Sequence, residues 1–83
     1  MSHTINRSIS ITGLGYVGLP IAIAFDQTLK VIGFDVNQSR IDELKNGIDR
    51  TGEVKLDMLR TSNISFTSDF NELSKANFHI ITV

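Results

Sequence analysis

The chain has 83 residues, enough for one small domain and no more. At 41% hydrophobic and 20% charged it reads as globular rather than disordered, and a net charge of −1 gives no electrostatic ground for nucleic acid or an anionic membrane as partner. It has no cysteine, which excludes a disulfide, a thiolate nucleophile and a Cys-bound metal from this chain.

The opening residues, Met1 to Arg7, are polar and hold no signal-peptide core. No apolar run reaches the roughly 18 residues of a membrane helix. A cytoplasmic location is therefore the expectation. Ser8-Ile9-Ser10-Ile11-Thr12 is a short β-branched run bounded by Gly13, the pattern of a strand. A helix is expected to start near Tyr16 or Val17, with Pro20 in its first turn, where a missing N–H costs little. The apolar run Ile21 to Phe25 suits a helix packed on a sheet. Lys30 to Asp35 reads as a second strand.

Next comes an amphipathic helical pattern, with Ile41, Leu44 and Ile48 at i, i+3 and i+7 on one face. Asn37 or Ser39 can cap its start and Gly47 can end it. Val54 to Arg60 reads as a helical turn with Leu56 and Leu59 inward. Ile64 to Thr67 is a third strand. Asp69 and Glu72 have the spacing of a capping box for a short helix reaching Ala76. Phe78 to Val83 is a fourth strand. The alternation β-α-β-α-α-β-α-β implies an α/β fold with a parallel sheet and right-handed crossovers. Its expected strand order is 3-2-1-4, the first half of a Rossmann-type doubly wound sheet.

Gly13-Leu14-Gly15-Tyr16-Val17-Gly18 matches G-x-G-x-x-G, and it lies where the chain passes from a strand into a helix. Each glycine has a task. Gly13 permits the tight turn, Gly15 lets a pyrophosphate approach the backbone, and Gly18 lets the helix lie close to the sheet. The free N–H groups of the first turn, those of Tyr16 and Val17 among them, then face the phosphates with the helix dipole behind them. Asp35 lies 20 positions after Gly15. A carboxylate there accepts hydrogen bonds from the adenosine ribose and repels the 2′-phosphate of NADP, so NAD is the expected cofactor. Arg40 reads as lying beside the adenosine ribose or diphosphate. The plainer alternatives are a structural turn for the glycines, a cap for Asp35 and a solvated helix position for Arg40. A related fold holding another adenosine ligand, such as S-adenosylmethionine, is a further alternative.

The segment Gly13-Leu14-Gly15-Tyr16-Val17-Gly18-Leu19-Pro20 resembles the opening of the UDP-glucose/GDP-mannose dehydrogenase family. Gly33-Phe34-Asp35-Val36-Asn37 and Arg40-Ile41-Asp42-Glu43-Leu44 resemble it too. Gly47-Ile48-Asp49-Arg50-Thr51-Gly52-Glu53-Val54 is similar to the branch that oxidises UDP-N-acetyl-hexosamines for bacterial surface polysaccharides. The resemblance runs from about Ser8 to Val83. It implies a two-step oxidation of a sugar C6 alcohol to a carboxylate, with two NAD reduced. It also implies a later thiohemiacetal on a catalytic cysteine. With no cysteine present, the nucleophile is expected beyond Val83, and no catalytic residue is assigned here.

The same resemblance places Thr82 and Val83 near the nicotinamide half of NAD and leaves Glu53 without a catalytic role. Its substrate would be a nucleotide sugar, bound mostly outside this chain, and the intact protein would be a homo-oligomer. Residues 1–83 are then expected to be part of an NAD-binding domain, truncated after the fourth strand. As a separate fragment they would be inactive and prone to self-association through the apolar Phe78–Val83 edge. Competing readings are the NAD-binding domain of a β-hydroxyacid-type dehydrogenase and a non-catalytic dinucleotide sensor.

The remaining residues add little. His79, between Phe78 and Ile80, reads as structural or surface, and His3 suggests nothing. Asp42 and Glu43 read as a solvated helix face. No metal-ligand spacing is evident. Phe25, Phe34, Phe66, Phe70 and Phe78 are spread among expected core elements, which argues against an aromatic nucleic-acid platform.

Overall fold

The computed structural model describes residues 7–82. The leader with His3, and Val83, lie outside the described residues. Strands β1 (Ser8–Thr12), β2 (Lys30–Phe34), β3 (Ser65–Thr67) and β4 (Phe78–Ile81) form one parallel sheet in the order β3-β2-β1-β4. This is the expected 3-2-1-4 order. Helices α1 (Gly18–Asp26), α2 (Gln38–Lys45) and α3 (Leu56–Thr61) and a 3-10 helix (Phe70–Lys75) fill the connections. The register aligns Ser8 with Lys30 and Thr12 with Phe34, and Thr12 also with Ile81. Phe34 aligns with Thr67. The strands thus end level. The loops that leave Thr12, Phe34 and Ile81 emerge side by side, at the point where the strand order reverses.

Side chains alternate across the sheet. Ile9, Ile11 and Val31 face the main core, joined by Leu19, Ala22 and Ile23 of α1 and by Ile41, Leu44, Leu59, Ile64 and Phe66. Full burial of one such aliphatic side chain contributes roughly 1.5–3 kcal/mol, so this layer holds the helices on the sheet. The opposite face carries Ser10, Thr12, Ile32, Phe34, His79 and Ile81 by register. The 3-10 helix packs there, with Phe70 set edge-on to Phe34 at 6.4 Å between ring centres. His79 is exposed there, with its Nδ1 2.6 Å from the buried Ser10 hydroxyl.

Helix α2 starts at Asn37, whose side chain accepts the Arg40 N–H. It ends in a Schellman turn. The Gly47 N–H reaches the Leu44 carbonyl and the Ile48 N–H reaches that of Glu43, with Gly47 at φ +74°. That turn overturns one expectation. Ile48 lies past the helix end, so the i+7 spacing no longer places it on the buried face, and it is 50% exposed.

Leu56 is likewise 51% exposed, because the six-residue α3 meets the core through Leu59. The segment after Asp69 is a 3-10 helix ending at Lys75. Asp69 does cap it, accepting the Asn71 N–H, but the reciprocal half of the box is missing: Glu72 pairs with Lys75 at 2.9 Å. Phe70 and Phe78 are exposed and not core residues. Phe70 rests by its edge on a thinly covered face, and Phe78 lies on the edge strand β4. Among the described residues no helix is long and apolar enough to cross a membrane.

Candidate functional site

The crest of the sheet carries the glycine loop. Gly13 turns out of β1 at φ +92°, and its N–H is held by the Phe34 carbonyl at 2.9 Å. A Cβ at Gly13 would lie 2.7 Å from Thr82 Oγ1 and 2.9 Å from the Thr82 carbonyl oxygen. Helix α1 then begins so close to the loop that a Cβ at Gly18 would fall 1.7 Å from the Gly13 carbonyl oxygen. Gly13 and Gly18 are therefore required by the chain's own packing. Gly15 is different. Its φ is not positive, and an added Cβ would meet nothing within 4 Å. Among the described residues no contact demands glycine there, and Gly15 is exposed.

The two peptide planes around Leu14 are fixed one by one. In the Gly13–Leu14 peptide, Thr82 Oγ1 donates to the Gly13 carbonyl at 2.7 Å, and the Leu14 N–H donates to Asp35 Oδ2 at 3.0 Å. In the Leu14–Gly15 peptide, Arg40 Nε donates to the Leu14 carbonyl at 2.7 Å. The side chain of Leu14 is fully buried. A trans peptide points its N–H opposite its C=O. Pinning the Leu14 oxygen inward thus turns the Gly15 N–H outward. Among the described residues the amides of Gly15, Tyr16 and Val17 have no acceptor, and Val17 caps α1 with no side-chain hydrogen bond. The helix start is left open, with its positive dipole end bare. The Tyr16 and Val17 side chains are 68% and 54% exposed, so these residues present their backbone rather than an enclosing surface.

Asp35 stands directly after β2, half-buried beside this loop. Its Oδ2 accepts the Leu14 N–H and its Oδ1 accepts the Asn37 N–H at 2.9 Å. Each carboxylate oxygen keeps a further lone pair for an incoming donor.

Arg40 corrects the solvated-helix alternative, because it is 7% exposed. Its Nη2 lies 3.0 Å from Asp49 Oδ1, yet that N–H is not directed at the carboxylate, so the contact is an ion pair and not an aligned hydrogen bond. Glu43 joins them at 3.8 Å and also binds Arg50 Nε at 2.5 Å, which removes Glu43 from the solvated face expected for it. Asp42 is exposed, as expected.

Asp49, given no role on sequence grounds, organises the connection after α2. Its side chain is 1% exposed. It accepts the Thr51 hydroxyl at 2.7 Å, the Thr51 N–H at 3.1 Å and the Val54 N–H at 3.1 Å. Burial alone would push this carboxyl up. The hydrogen bonds from Thr51 and Val54 and the Arg40 contact prevail and hold it below its ordinary value of 3.8. The signal that would have found it is Asp-x-Thr just past a helix, the pattern of an Asx turn. Glu53, in the same loop, is exposed.

The structure thus brings Gly13, Gly15, Tyr16, Val17, Gly18, Asp35, Arg40 and Thr82 to one end of the sheet. The arrangement fits a dinucleotide. It offers outward amides at an open helix start, a glycine with empty space before it, and a carboxylate at the tip of the next strand.

Residues 7–83 match the model of the UDP-glucose/GDP-mannose dehydrogenase family, NAD binding domain. Protein CapL of Staphylococcus aureus is 56% identical over 78 residues, covering 94% of this chain and 18% of its own length. A UDP-N-acetyl-D-glucosamine 6-dehydrogenase of Salmonella typhi is 50% identical, covering 90% of this chain and 18% of its own length. Among solved structures, a UDP-glucose dehydrogenase from the archaeon Pyrobaculum islandicum superposes with a TM-score of 0.85 at 30% identity, over 96% of this chain and 20% of that one. A GDP-mannose dehydrogenase from Pseudomonas aeruginosa gives 0.80 at 34% identity, over 90% of this chain and 19% of that one. The chain therefore spans about 18% of the length of the curated relatives it matches.

Proposed function

The chain belongs to the UDP-glucose/GDP-mannose dehydrogenase family, within its NAD-binding domain, and from that premise we propose that residues 1–83 form the adenosine-binding part of a UDP-N-acetyl-hexosamine 6-dehydrogenase. The observation that carries the cofactor reading is Gly15, a glycine no internal contact requires, at an open helix start beside Asp35. The amides of Gly15, Tyr16, Val17 and Gly18 donate to the diphosphate oxygens, and the dipole of α1 favours the negative charge. Asp35 accepts the adenosine ribose hydroxyls through lone pairs that Leu14 and Asn37 leave unused. Its charge disfavours a 2′-phosphate, which selects NAD over NADP. Arg40 fixes the loop from beneath. Thr82, hydrogen-bonded under Gly13, stands on the nicotinamide side of the site in this reading.

Bound NAD supplies the hydride acceptor for oxidation of an alcohol carbon. In the whole protein the reaction takes the C6 alcohol of a UDP-N-acetyl-hexosamine to the carboxylate with two NAD reduced, as a precursor step for surface polysaccharide. The stretch Gly47–Val54 and the UDP-N-acetyl-D-glucosamine 6-dehydrogenases among the relatives support this substrate class. The whole protein acts as a cytoplasmic homo-oligomer, and its catalytic nucleophile lies outside this chain, which has no cysteine.

The test is a titration of the chain with NAD and with NADP, by calorimetry and by NMR shifts at Gly13, Gly15, Gly18 and Asp35. NAD binding that exceeds NADP binding, with shifts centred on these residues and on Tyr16 and Val17 between them, is the expected result. No binding by a folded sample would refute the reading of the glycine loop as sufficient for NAD.

A further inference from the structure

We infer that Asp49 is a positioning residue for the dinucleotide site, acting through Arg40 on the Leu14–Gly15 peptide. The inference rests on the NAD-binding reading above. Asp49 belongs to the α2–α3 connection, and its side chain is buried. What it touches is Arg40 Nη2, at 3.0 Å, while the same guanidinium donates through Nε to the Leu14 carbonyl at 2.7 Å. A planar guanidinium is rigid, so a carboxylate set against one of its nitrogens restricts where the others can lie. The order of dependence is short. Asp49 orients Arg40, Arg40 holds the Leu14 oxygen inward, and the planar peptide then turns the Gly15 N–H outward.

Two features argue that this is more than loop packing. First, among the described residues Arg40 alone holds this peptide by a side-chain hydrogen bond, to the Leu14 carbonyl, whereas the preceding one is fixed by both Thr82 and Asp35. Second, the charges close on themselves. Arg40 and Arg50 lie among Glu43 and Asp49, and Arg40, 7% exposed, still has a directed N–H for the loop. Asp49 is the partner best able to keep it there, being itself fixed by Thr51 and Val54. Glu43, at 3.8 Å and shared with Arg50, would draw the guanidinium away from Leu14 once Asp49 lost its charge. The connection after α2 therefore acts on cofactor affinity without touching the cofactor.

The test compares Asp49→Asn, which keeps the shape and removes the charge, with the parent in the full chain. NAD affinity is expected to fall about tenfold, the loss that one misdirected hydrogen bond to a charged group gives. In the ligand-free protein the Gly15 amide and the Arg40 Nε–H resonances should shift, while those of β3 stay in place. Against an Arg40→Met background Asp49→Asn should weaken NAD no further, since its effect passes through Arg40. Should Asp49→Asn fail to fold, Thr51→Val removes one donor to Asp49 and carries the same readouts at smaller amplitude.

Unchanged NAD affinity in the folded variant, or equal weakening in the Arg40→Met background, would overturn the inference. A parent that binds no NAD would sink the dinucleotide reading alone. The Gly15 and Arg40 resonances of the ligand-free chain would still decide whether Asp49 sets that peptide.

Discussion

Replacing Gly15 and Gly18 in turn by alanine separates the glycine that the fold needs from the glycine that the ligand needs. At Gly15 the backbone is not in the left-handed region, and an added Cβ meets nothing within 4 Å. Gly15→Ala therefore adds no strain to the folded chain and removes freedom from the unfolded one, a gain of about 0.4–1 kcal/mol. For a chain this size that raises the melting temperature by roughly 2–8 °C. The same methyl projects into the space that a diphosphate must enter to reach the outward amides at about 2.9 Å. Crowding of that kind costs about 1–3 kcal/mol, which is roughly a five- to 150-fold loss of NAD affinity.

At Gly18 the sign of the stability effect reverses. A Cβ would lie 1.7 Å from the Gly13 carbonyl oxygen and 2.9 Å from both its carbon and Thr82 Oγ1, and backbone atoms cannot swing aside as a side-chain end can. The helix must move off the sheet, at a cost of about 3 kcal/mol or more, a large part of the roughly 5–15 kcal/mol that holds a domain folded. Thermal melting and calorimetric NAD titration of the two variants give the answer together. A Gly15→Ala protein that melts lower than the parent, or that binds NAD as tightly, would refute the reasoning.

Asp35→Ala should abolish measurable NAD preference over NADP. It should also destabilise the chain by roughly 1.5–3 kcal/mol, because the Leu14 and Asn37 amides lose a charged acceptor; paired NAD and NADP titrations beside a denaturant melt check both effects. Gly47→Ala forces a side chain into φ +74° against Arg60 Cγ at 2.6 Å, and a loss of about 1–2 kcal/mol is expected in denaturant unfolding. Asp49 titrates below its ordinary value of 3.8 in the folded chain, so its contribution to stability is complete above that value and is lost as the pH falls through the lower, folded value. Melting temperature followed from pH 5 downwards should thus show an acid-side loss that Asp49→Asn removes, and an unchanged acid limb in that variant would count against the assignment.

Much of this was legible in the sequence because its signals are local. A β-branched run, a G-x-G-x-x-G turn into a helix and an aspartate at the tip of the next strand are each written over a few neighbouring residues. Alternating strands and helices then leave the right-handed parallel sheet as the one simple way to bury both faces. That gave the 3-2-1-4 order, the N-cap at Asp69, the end of α2 at Gly47, and the meeting of the glycine loop with Asp35, while the structure chose Asn37 over Ser39 as the cap of α2. Local patterns also misled where an element stopped. Ile48 continues the periodicity of α2 on paper, but Gly47 has already turned the chain away, and Leu56 opens a helix that touches the core elsewhere.

What only the tertiary structure decided is which distant groups meet. Arg40 reads as a solvated arginine or a cofactor ligand, and neither reading could foresee that it lies buried under Leu14, 26 positions earlier, with Asp49 and Glu43 around it. The motif assigns its three glycines separate tasks, but it does not say that Gly13 and Gly18 are pressed against Thr82 and against each other, while an added Cβ at Gly15 would meet no described residue within 4 Å. The physical reason is the range of the forces involved. Turn, cap and helix preferences act within a few bonds of a residue and so are printed in its neighbours. The partner of a buried charge, and the room around a missing Cβ, are set by whichever segments the folded sheet brings alongside.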